Sequence, residues 1–353
     1  MTPPPRLHDL ACVVHLHSLY SDGTGTVSEI AAAASRNSLD VVLLTDHDTL
    51  EAKHRGEEGW HGDVLVLVGE EVSPAGGDHY LAFGVDEHVD HTGLDSAGIC
   101  AAVDAAGGFG FAAHPFSRGS QFLERAKGMP FRDVDCAGLR GVELWSFVTD
   151  TGEELRGWGD AVRFIATPER FVAHPPERNL REWDRLCQAR RVVAIGGLDA
   201  HQIGKRIAGR VPLRLMSYAR SFRFLRTHVL CEELLSGDLD HDRAQVYAAL
   251  REGRCYLAMD AVAPARGFAF WAEGSAGALV MGNEGEAGEW VLRAQLPRPA
   301  SLRLLRDGAE VASVRGAELS HSAEGPGVYR VEARLPAHGR ERTWILSNPI
   351  YLR

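Results

Sequence analysis

Short apolar runs rich in β-branched residues punctuate the first three quarters of the chain: CVV (12–14), VVLL (41–44), VLVLV (64–68), GFAA (110–113) and RVVAI (191–195). Each is bounded by polar or glycine-rich sequence, and helical stretches lie between them. That alternation predicts a β/α layout from about residue 11 to 260. Runs that are apolar nearly throughout suit parallel strands buried on both faces. Helices are predicted over Val27 to Asn37, Asn179 to Arg190 and Asp242 to Arg251.

After about Pro264 the texture changes to alternating runs divided by glycine: GFAFWAEG, EWVLRAQL, SLRLLRDG, AEVASVRG, VYRVEARL and TWILSNPIYL. This pattern predicts a small antiparallel β-sandwich. The division expected is therefore 1–263 for an α/β domain and 264–353 for a β-sandwich. Arg306-Asp307-Gly308 lies between two runs and predicts a tight hairpin turn.

Composition narrows the function classes. Lys and Arg total 38 against 48 for Asp and Glu, a formal net charge of −10, and no basic stretch offers a footprint for a nucleic-acid polymer. No apolar stretch is long enough to span a bilayer. Cysteines 12, 100, 136, 187, 231 and 255 form neither a CxxC pair nor a compact disulfide framework, so they read as reduced thiols of a cytoplasmic protein. The first residues, MTPPPRLHDLACVVHLH, do not make a signal peptide.

What carries chemistry is the way the apolar runs end. CVV leads to His15-Leu16-His17, VVLL to Thr45-Asp46-His47, VLVLV to Gly69-Glu70-Glu71, GFAA to His114-Pro115, and RVVAIGGL to Asp199-Ala200-His201. In a strand, residues two apart project to one face, so His15 and His17 can converge on one metal. Strand ends that meet in space would bring the remaining groups to the same place. Buried carboxylates and imidazoles are costly there unless paired or metal-bound. The remaining histidines, His8, His54, His61, His88 and His91 among them, read as ordinary surface residues. No G-x-S-x-G elbow is present, and no cysteine has a visible histidine partner, which disfavours a serine or cysteine nucleophile.

The motifs H-L-H-S-L-Y-S-D-G (15–23), T-D-H-D-T (45–49), G-E-E-V-S (69–73), H-Y-L-A-F-G (79–84), A-H-P (113–115) and G-L-D-A-H (197–201) resemble, in order, those of the polymerase and histidinol phosphatase (PHP) metallohydrolases. The resemblance implies a distorted (β/α)7 barrel holding two or three divalent metal ions. The ligands it implies are His15, His17, Asp22, His47, Glu71, His79, His114, Asp199 and His201. All nine are able to bind metal, which favours catalysis over a vestigial domain. Asp22 departs from members that carry histidine there and makes the site harder. Glu70 competes with Glu71, and His174 in a second A-H-P competes with His114. Glu71 is preferred for its place before Val-Ser, His114 for the glycine-rich strand before it. The endings T-H-V-L (227–230) and W-I-L-S-N-P-I-Y-L (344–352) look similar to a branch that includes carbaryl-type carbamate or ester hydrolases.

The function implied is metal-assisted hydrolysis of a small phosphate ester. His15, His17, Glu71 and Asp199 would hold one metal, Glu71 bridging to a second completed by His79 and His114, with Asp22, His47 and His201 at a third. The absence of cysteine from this set points to zinc, manganese or iron. Asp22, His201 and Arg118 are the expected catalytic groups. Asp46 would orient His47, and Arg118, Lys205 and Arg206 would clamp an anion. Hydrolysis of an ester, amide or carbamate is the alternative, favoured if Trp145, Phe147 or Phe116 lines the pocket. A non-catalytic, metal-stabilised binding module is the alternative of another class. A homo-oligomer is compatible with everything above.

Overall fold

The computed structural model describes residues 5–122, 127–204, 214–275 and 277–353. Seven strands supply the frame of the first region: β1 (His8–Val14), β2 (Val41–His47), β3 (Val64–Val72), β4 (Tyr80–Phe83), β5 (Phe109–Ala112), β6 (Gly141–Ser146) and β7 (Val193–Gly197). Alternate side chains serve two cores, which is why these runs carry almost no polar positions. Leu10, Cys12 and Val14 of β1 join Leu65 and Leu67 of β3 in one core, together with Val246 and Leu250 of the helix Leu239–Glu252. Ala11 and Val13 join Val64, Val66 and Val68 in the other, with Val27, Ile30 and Ala34 of helix α1 (Val27–Ser35). Helix α1 starts as its sequence directs. Thr26 accepts a hydrogen bond from the Glu29 amide while the Glu29 carboxylate accepts one from the Thr26 amide, a capping box.

The sheet is mixed. Pairing is parallel for β1–β2 and β2–β3, antiparallel for β3–β4 and β4–β5, and parallel again for β5–β6 and β6–β7. Strand β4 reverses because residues 73–79 are too few for a crossover connection, so the all-parallel expectation fails there. Closure into a (β/α)7 barrel is also incomplete. Among the described residues, β7 and β1 meet only just beyond their C-terminal ends, at a parallel bridge between Leu16 and Ala200. Hydrogen bonds run there from His17 N to Ala200 O and from Leu198 N to Val14 O. Along its length β1 instead pairs antiparallel with β8 (Leu225–Cys231).

That pairing leads into the C-terminal region. Strand β8 pairs with β9 (Cys255–Met259), and β9 with Arg340–Ser347, so the later strands continue the ladder of the first region where a separate sandwich was expected. EWVLRAQL and SLRLLRDG, expected as two strands, form one, Trp290–Arg306, whose register slips between Gln295 and Ala300. Pro297 and Pro299 lie in that gap and cannot donate to a ladder. The hairpin at Asp307-Gly308 forms as expected, with φ of 53° and 84°. All six cysteines are buried and unpaired. Among the described residues no helix is long and apolar enough to cross a membrane.

Candidate metal centre

His15 and His17 converge, but not through regular strand alternation. Strand β1 ends at Val14, and His15 takes φ 61°, turning the chain so that the two rings sit 5.3 Å apart. His114 and Asp199 also have positive φ, 32° and 51°. Non-glycine residues there are uncommon and cost on the order of 1–3 kcal/mol each, a cost that concentrates at functional sites.

Five imidazoles surround one carboxylate. Glu71 Oε2 lies 3.2 Å from His15 Nε2, 3.4 Å from His17 Nε2 and 3.1 Å from His47 Nδ1, while Oε1 lies 2.9 Å from His79 Nδ1 and 3.4 Å from His114 Nε2. Asp199 Oδ1 is 3.6 Å from His15 Nε2, 3.5 Å from His17 Nε2 and 3.6 Å from His201 Nδ1. Asp22, more than half exposed, closes the far side at 3.1 Å from His201 Nε2 and 3.8 Å from His47 Nε2. All nine candidates are thus brought together. Three subsets offer donor atoms within 4.8 Å of one another: His15 with His17 and Asp199; His15 with Glu71 and His114; and His17 with Asp22, His47 and His201.

Second partners orient these rings. His15 donates from Nδ1 to Glu143 Oε1 at 2.9 Å, leaving Nε2 toward Glu71 and Asp199. His114 donates from Nδ1 to the Met129 carbonyl at 3.2 Å, which directs its Nε2 inward. The Ser73 hydroxyl donates to the Glu71 carbonyl and therefore accepts from His47 Nδ1, 2.7 Å away. Thr149 donates to Asp199 Oδ2 at 2.5 Å and leaves Oδ1 to the histidines. Glu143 also accepts from the His114 amide. Gly197 makes room for this carboxylate, since a Cβ there would lie 1.9 Å from Glu143 Oε1.

The electrostatics follow from this crowding. Burial works against charge on His15, yet Glu143, Glu71 and Asp199 hold its pKa well above the usual imidazole value. Burial opposes charge on His114 and His201 too, but Glu71 for the first, and Asp22 with Asp199 for the second, raise both to about 9. Glu71 and Asp199 resist the upward push of burial and lie well below the usual carboxylate range, held there chiefly by His15. His17 goes the other way, since burial and the neighbouring His201 and His15 lower its pKa. Its two ring nitrogens are buried without a hydrogen-bond partner. A neutral, fully buried imidazole with two unsatisfied nitrogens fits a divalent cation, as does the all-nitrogen-and-oxygen donor set.

Several expectations are corrected. Asp46 does not orient His47; it accepts from the Ser18 amide and from the Ser18 and Ser21 hydroxyls, pinning the loop after His17. Glu70 turns away to His88 Nδ1 and the Val89 amide, so of the two glutamates only Glu71 faces the histidines. His174 bonds Thr343, far from the cluster. Arg118 is exposed, does not line the cavity at the cluster and, among the described residues, gives its amide to Glu153. Trp145 and Phe147 are buried in the core, and neither they nor Phe116 line the pocket. Lys205 and Arg206 lie outside the described residues.

Six of the nine candidates (His47, Glu71, His79, His114, Asp199 and His201) line a cavity of about 330 Å³, whose other wall includes Ser117, Lys127, Met129, Val148 and Thr149. Sequence reasoning missed Glu143, Ser73, Thr149 and Lys127. Only Glu143 left a signal, a lone acid inside the apolar strand Gly-Val-Glu-Leu-Trp.

No protein-family model matches the chain, and no curated protein matches it in sequence. Among solved structures it is similar to a two-domain protein from Bacteroides vulgatus described as containing a predicted PHP-like metal-dependent phosphoesterase. That match has 13% identity and a TM-score of 0.48, and it covers 98% of this chain and 97% of the other. It is also similar to a candidate metal-dependent phosphoesterase from Bifidobacterium adolescentis, with 19% identity and a TM-score of 0.36, over 61% of this chain and 94% of the other. Likeness at this distance assigns no reaction.

Proposed function

We propose that this chain is a PHP-type metal-dependent phosphoesterase acting on a small phosphate ester. One observation carries the reading: five histidines converge on the buried Glu71, and among the described residues no Lys or Arg is paired with Glu71, Asp199 or Glu143. Buried carboxylates need a counter-charge. His15 and His114, whose inner nitrogens are aimed at Glu71 by outer hydrogen bonds to Glu143 and the Met129 carbonyl, make a cation the fitting one. Two or three ions, with zinc, manganese or iron suited to the donors, would be held by the nine residues in the partition the motifs imply.

Such ions supply a water of lowered pKa and neutralise charge on a transferred phosphoryl group. The chain's own work is positional. Glu71 and Asp199 fix the donor geometry, while Glu143, Ser73 and the Met129 carbonyl hold the rings. His201 lines the cavity with Asp22 3.1 Å behind it, and with two ions bound and the third site empty this acid–imidazole pair is suited to holding a proton near a leaving oxygen. The absence of Trp145, Phe147 and Phe116 from the lining removes the feature that would have favoured an aromatic ester.

The test is metal content of the purified protein together with a hydrolysis screen of phosphomonoesters, phosphodiesters and aryl carbamates, repeated with His47→Ala. Bound divalent metal, phosphoester cleavage and its loss in the variant are expected. Cleavage of carbamates but of no phosphoester would overturn the reaction assigned.

A further inference from the structure

Opposite the histidines, the wall of the cavity is built by the chain that follows His114. Ser117, Gly119 and Ser120 line it on the way out, and Lys127 and Met129 on the way back. Gly119 and Lys127 form an antiparallel bridge. Gly128 allows that closeness, since a Cβ there would come within 2.6 Å of the Arg118 carbonyl carbon.

Both limbs are anchored. On the outgoing side the Arg118 amide donates to Glu153, and Arg178, paired with Glu153 at 2.5 Å, donates to the Phe116 carbonyl. On the return side the Met129 carbonyl accepts from His114 Nδ1, and the Phe131 amide donates to Pro115 O. Lys127 therefore stands two residues from the atom that orients a candidate metal ligand. Its backbone is tied to the outgoing limb by the Gly119 bridge, and its side chain is exposed.

Lys127 is the one Lys or Arg among the described residues lining this cavity, and no described carboxylate is paired with it. A lysine left without an anion beside a metal pocket is a point charge available to a substrate. A neutral ester or carbamate has no use for it, whereas a phosphomonoester carries a second negative charge, and carboxylate ligands would offset part of the positive charge that the metals present to it. The cavity, about 330 Å³, lies at the small end of the roughly 300–1,000 Å³ typical of ligand sites. Met129 and Val148 give it an apolar flank for a compact organic group.

From this geometry we infer that Lys127, with Ser117 lining the same cavity, is the specificity-determining grip on the terminal phosphate of a small phosphomonoester. The inference rests on the phosphoesterase reading above and names its substrate class. Lys127 acts by binding, and the metal ligands are untouched by its loss.

The experiment uses the full-length, manganese-loaded protein and compares Lys127→Met, Lys127→Arg and Arg118→Met. KM and kcat are measured on p-nitrophenyl phosphate, inhibition by inorganic phosphate is measured alongside, and the thermal shift given by inorganic phosphate is recorded without any turnover. Lys127→Met is expected to raise KM and the phosphate inhibition constant about tenfold, equivalent to about 1.4 kcal/mol, with kcat and metal content little changed. Lys127→Arg is expected to restore most of the loss. An unchanged phosphate constant in Lys127→Met, or a loss that appears in Arg118→Met instead, overturns the inference and leaves the phosphoesterase reading standing. A wild-type protein that cleaves carbamates and neither cleaves nor binds phosphate overturns both.

Discussion

Two regions of this molecule bury histidine against carboxylate, and they solve the problem in opposite ways. In the strand pair β1–β8, His228 donates from Nδ1 to Asp9 Oδ1 at 2.7 Å and stacks on Tyr256 at 4.6 Å, while its Nε2, 3.4 Å from Asp260 Oδ1, makes no hydrogen bond. Asp260 is paired with Arg226 at 3.0 Å, and Asp40 nearby with Arg266 at 2.6 Å. Asp9 accepts further bonds from the Tyr256 hydroxyl and the Gly267 amide. Every anion there has a fixed partner within the chain. At the strand ends, by contrast, no Lys or Arg among the described residues is paired with Glu71, Asp199 or Asp22, which face imidazoles and, at Asp199, the Thr149 hydroxyl; His17 has no hydrogen-bond partner at either nitrogen, where His228 lacks one at Nε2 alone. Cavity size does not separate the two, since about 800 Å³ lies beside His228 and about 330 Å³ at the strand ends. The difference is open valence, so the residue types in a buried cluster say less than whether the cluster is electrically closed.

The strongest way to break this comparison is to neutralise the carboxylate at the centre of the open cluster. Glu71→Gln is expected to empty the metal centre and lower hydrolysis roughly 10³-fold or more, above the ~10–100-fold typical of residues that only orient a ligand. Metal analysis of the purified variant and a phosphomonoester assay check it. Stripping the wild type with a chelator should have the same effect on activity and be reversed by adding the ion back. A Glu71→Gln protein that keeps its full metal complement would show the cluster to be closed after all.

Removing the histidine from the closed cluster should do the reverse. His228→Ala leaves Asp9 and Asp260 buried without the group between them, a change expected to cost on the order of 3–5 kcal/mol of stability with no loss of metal per folded molecule. Urea unfolding and metal analysis on the same preparation decide it. Loss of metal in parallel with stability would erase the distinction drawn between the two regions.

The strand-end logic made one side of this contrast legible in the sequence. An apolar run that stops at histidine or a carboxylate marks a place where a side chain leaves the core, and the seven candidates found that way do meet, together with Asp22 and His79, which the family resemblance implied. What sequence adjacency could not reveal was which neighbour faces inward. Asp46 beside His47 and Glu70 beside Glu71 sit on regular strands, where successive side chains point to opposite faces. Both turned out to serve other partners. The turn at His15 depends on contacts between distant segments, and so does the incomplete closure at Leu16–Ala200, whereas the reversal of β4 follows from the short link 73–79. Lys127 lies in a polar stretch without periodicity, and only the bridge to Gly119 brings it to the cavity.

Glu143 tests whether the open cluster depends on its outer partners as the closed one does. Glu143→Gln keeps the volume and an acceptor for His15 Nδ1–H but removes the charge behind the ring, so metal affinity is expected to fall about 10–100-fold, with the fold retained. Competition with a chromogenic chelator measures the change. An affinity within twofold of wild type would mean that packing alone, through Gly197 and the strand, holds His15 in place.

The smallest expected effect is a slope, and it separates the two regions by pH. Burial opposes charge on His228, but Asp260 and Asp9 raise its pKa above the usual value of about 6.5. Asp9, despite burial, is lowered by His228. A raised histidine gives stability that is fully present below its unfolded pKa and is lost as pH climbs through the folded one. A lowered aspartate gives stability that is present above its unfolded pKa and is lost as pH falls through its folded value. The stability gap between wild type and His228→Ala should therefore be widest between these limits and narrow on the alkaline side. The slope there can be no steeper than about 1.4 kcal/mol per pH unit, the most that one proton can give. The metal-centre histidines are common to both proteins and cancel in the difference. Urea unfolding of the pair from pH 5 to 9 reads it directly; a gap that widens steadily up to pH 9 would mean that His228 is held neutral, and that the closed cluster is closed by Arg226 and Arg266 alone.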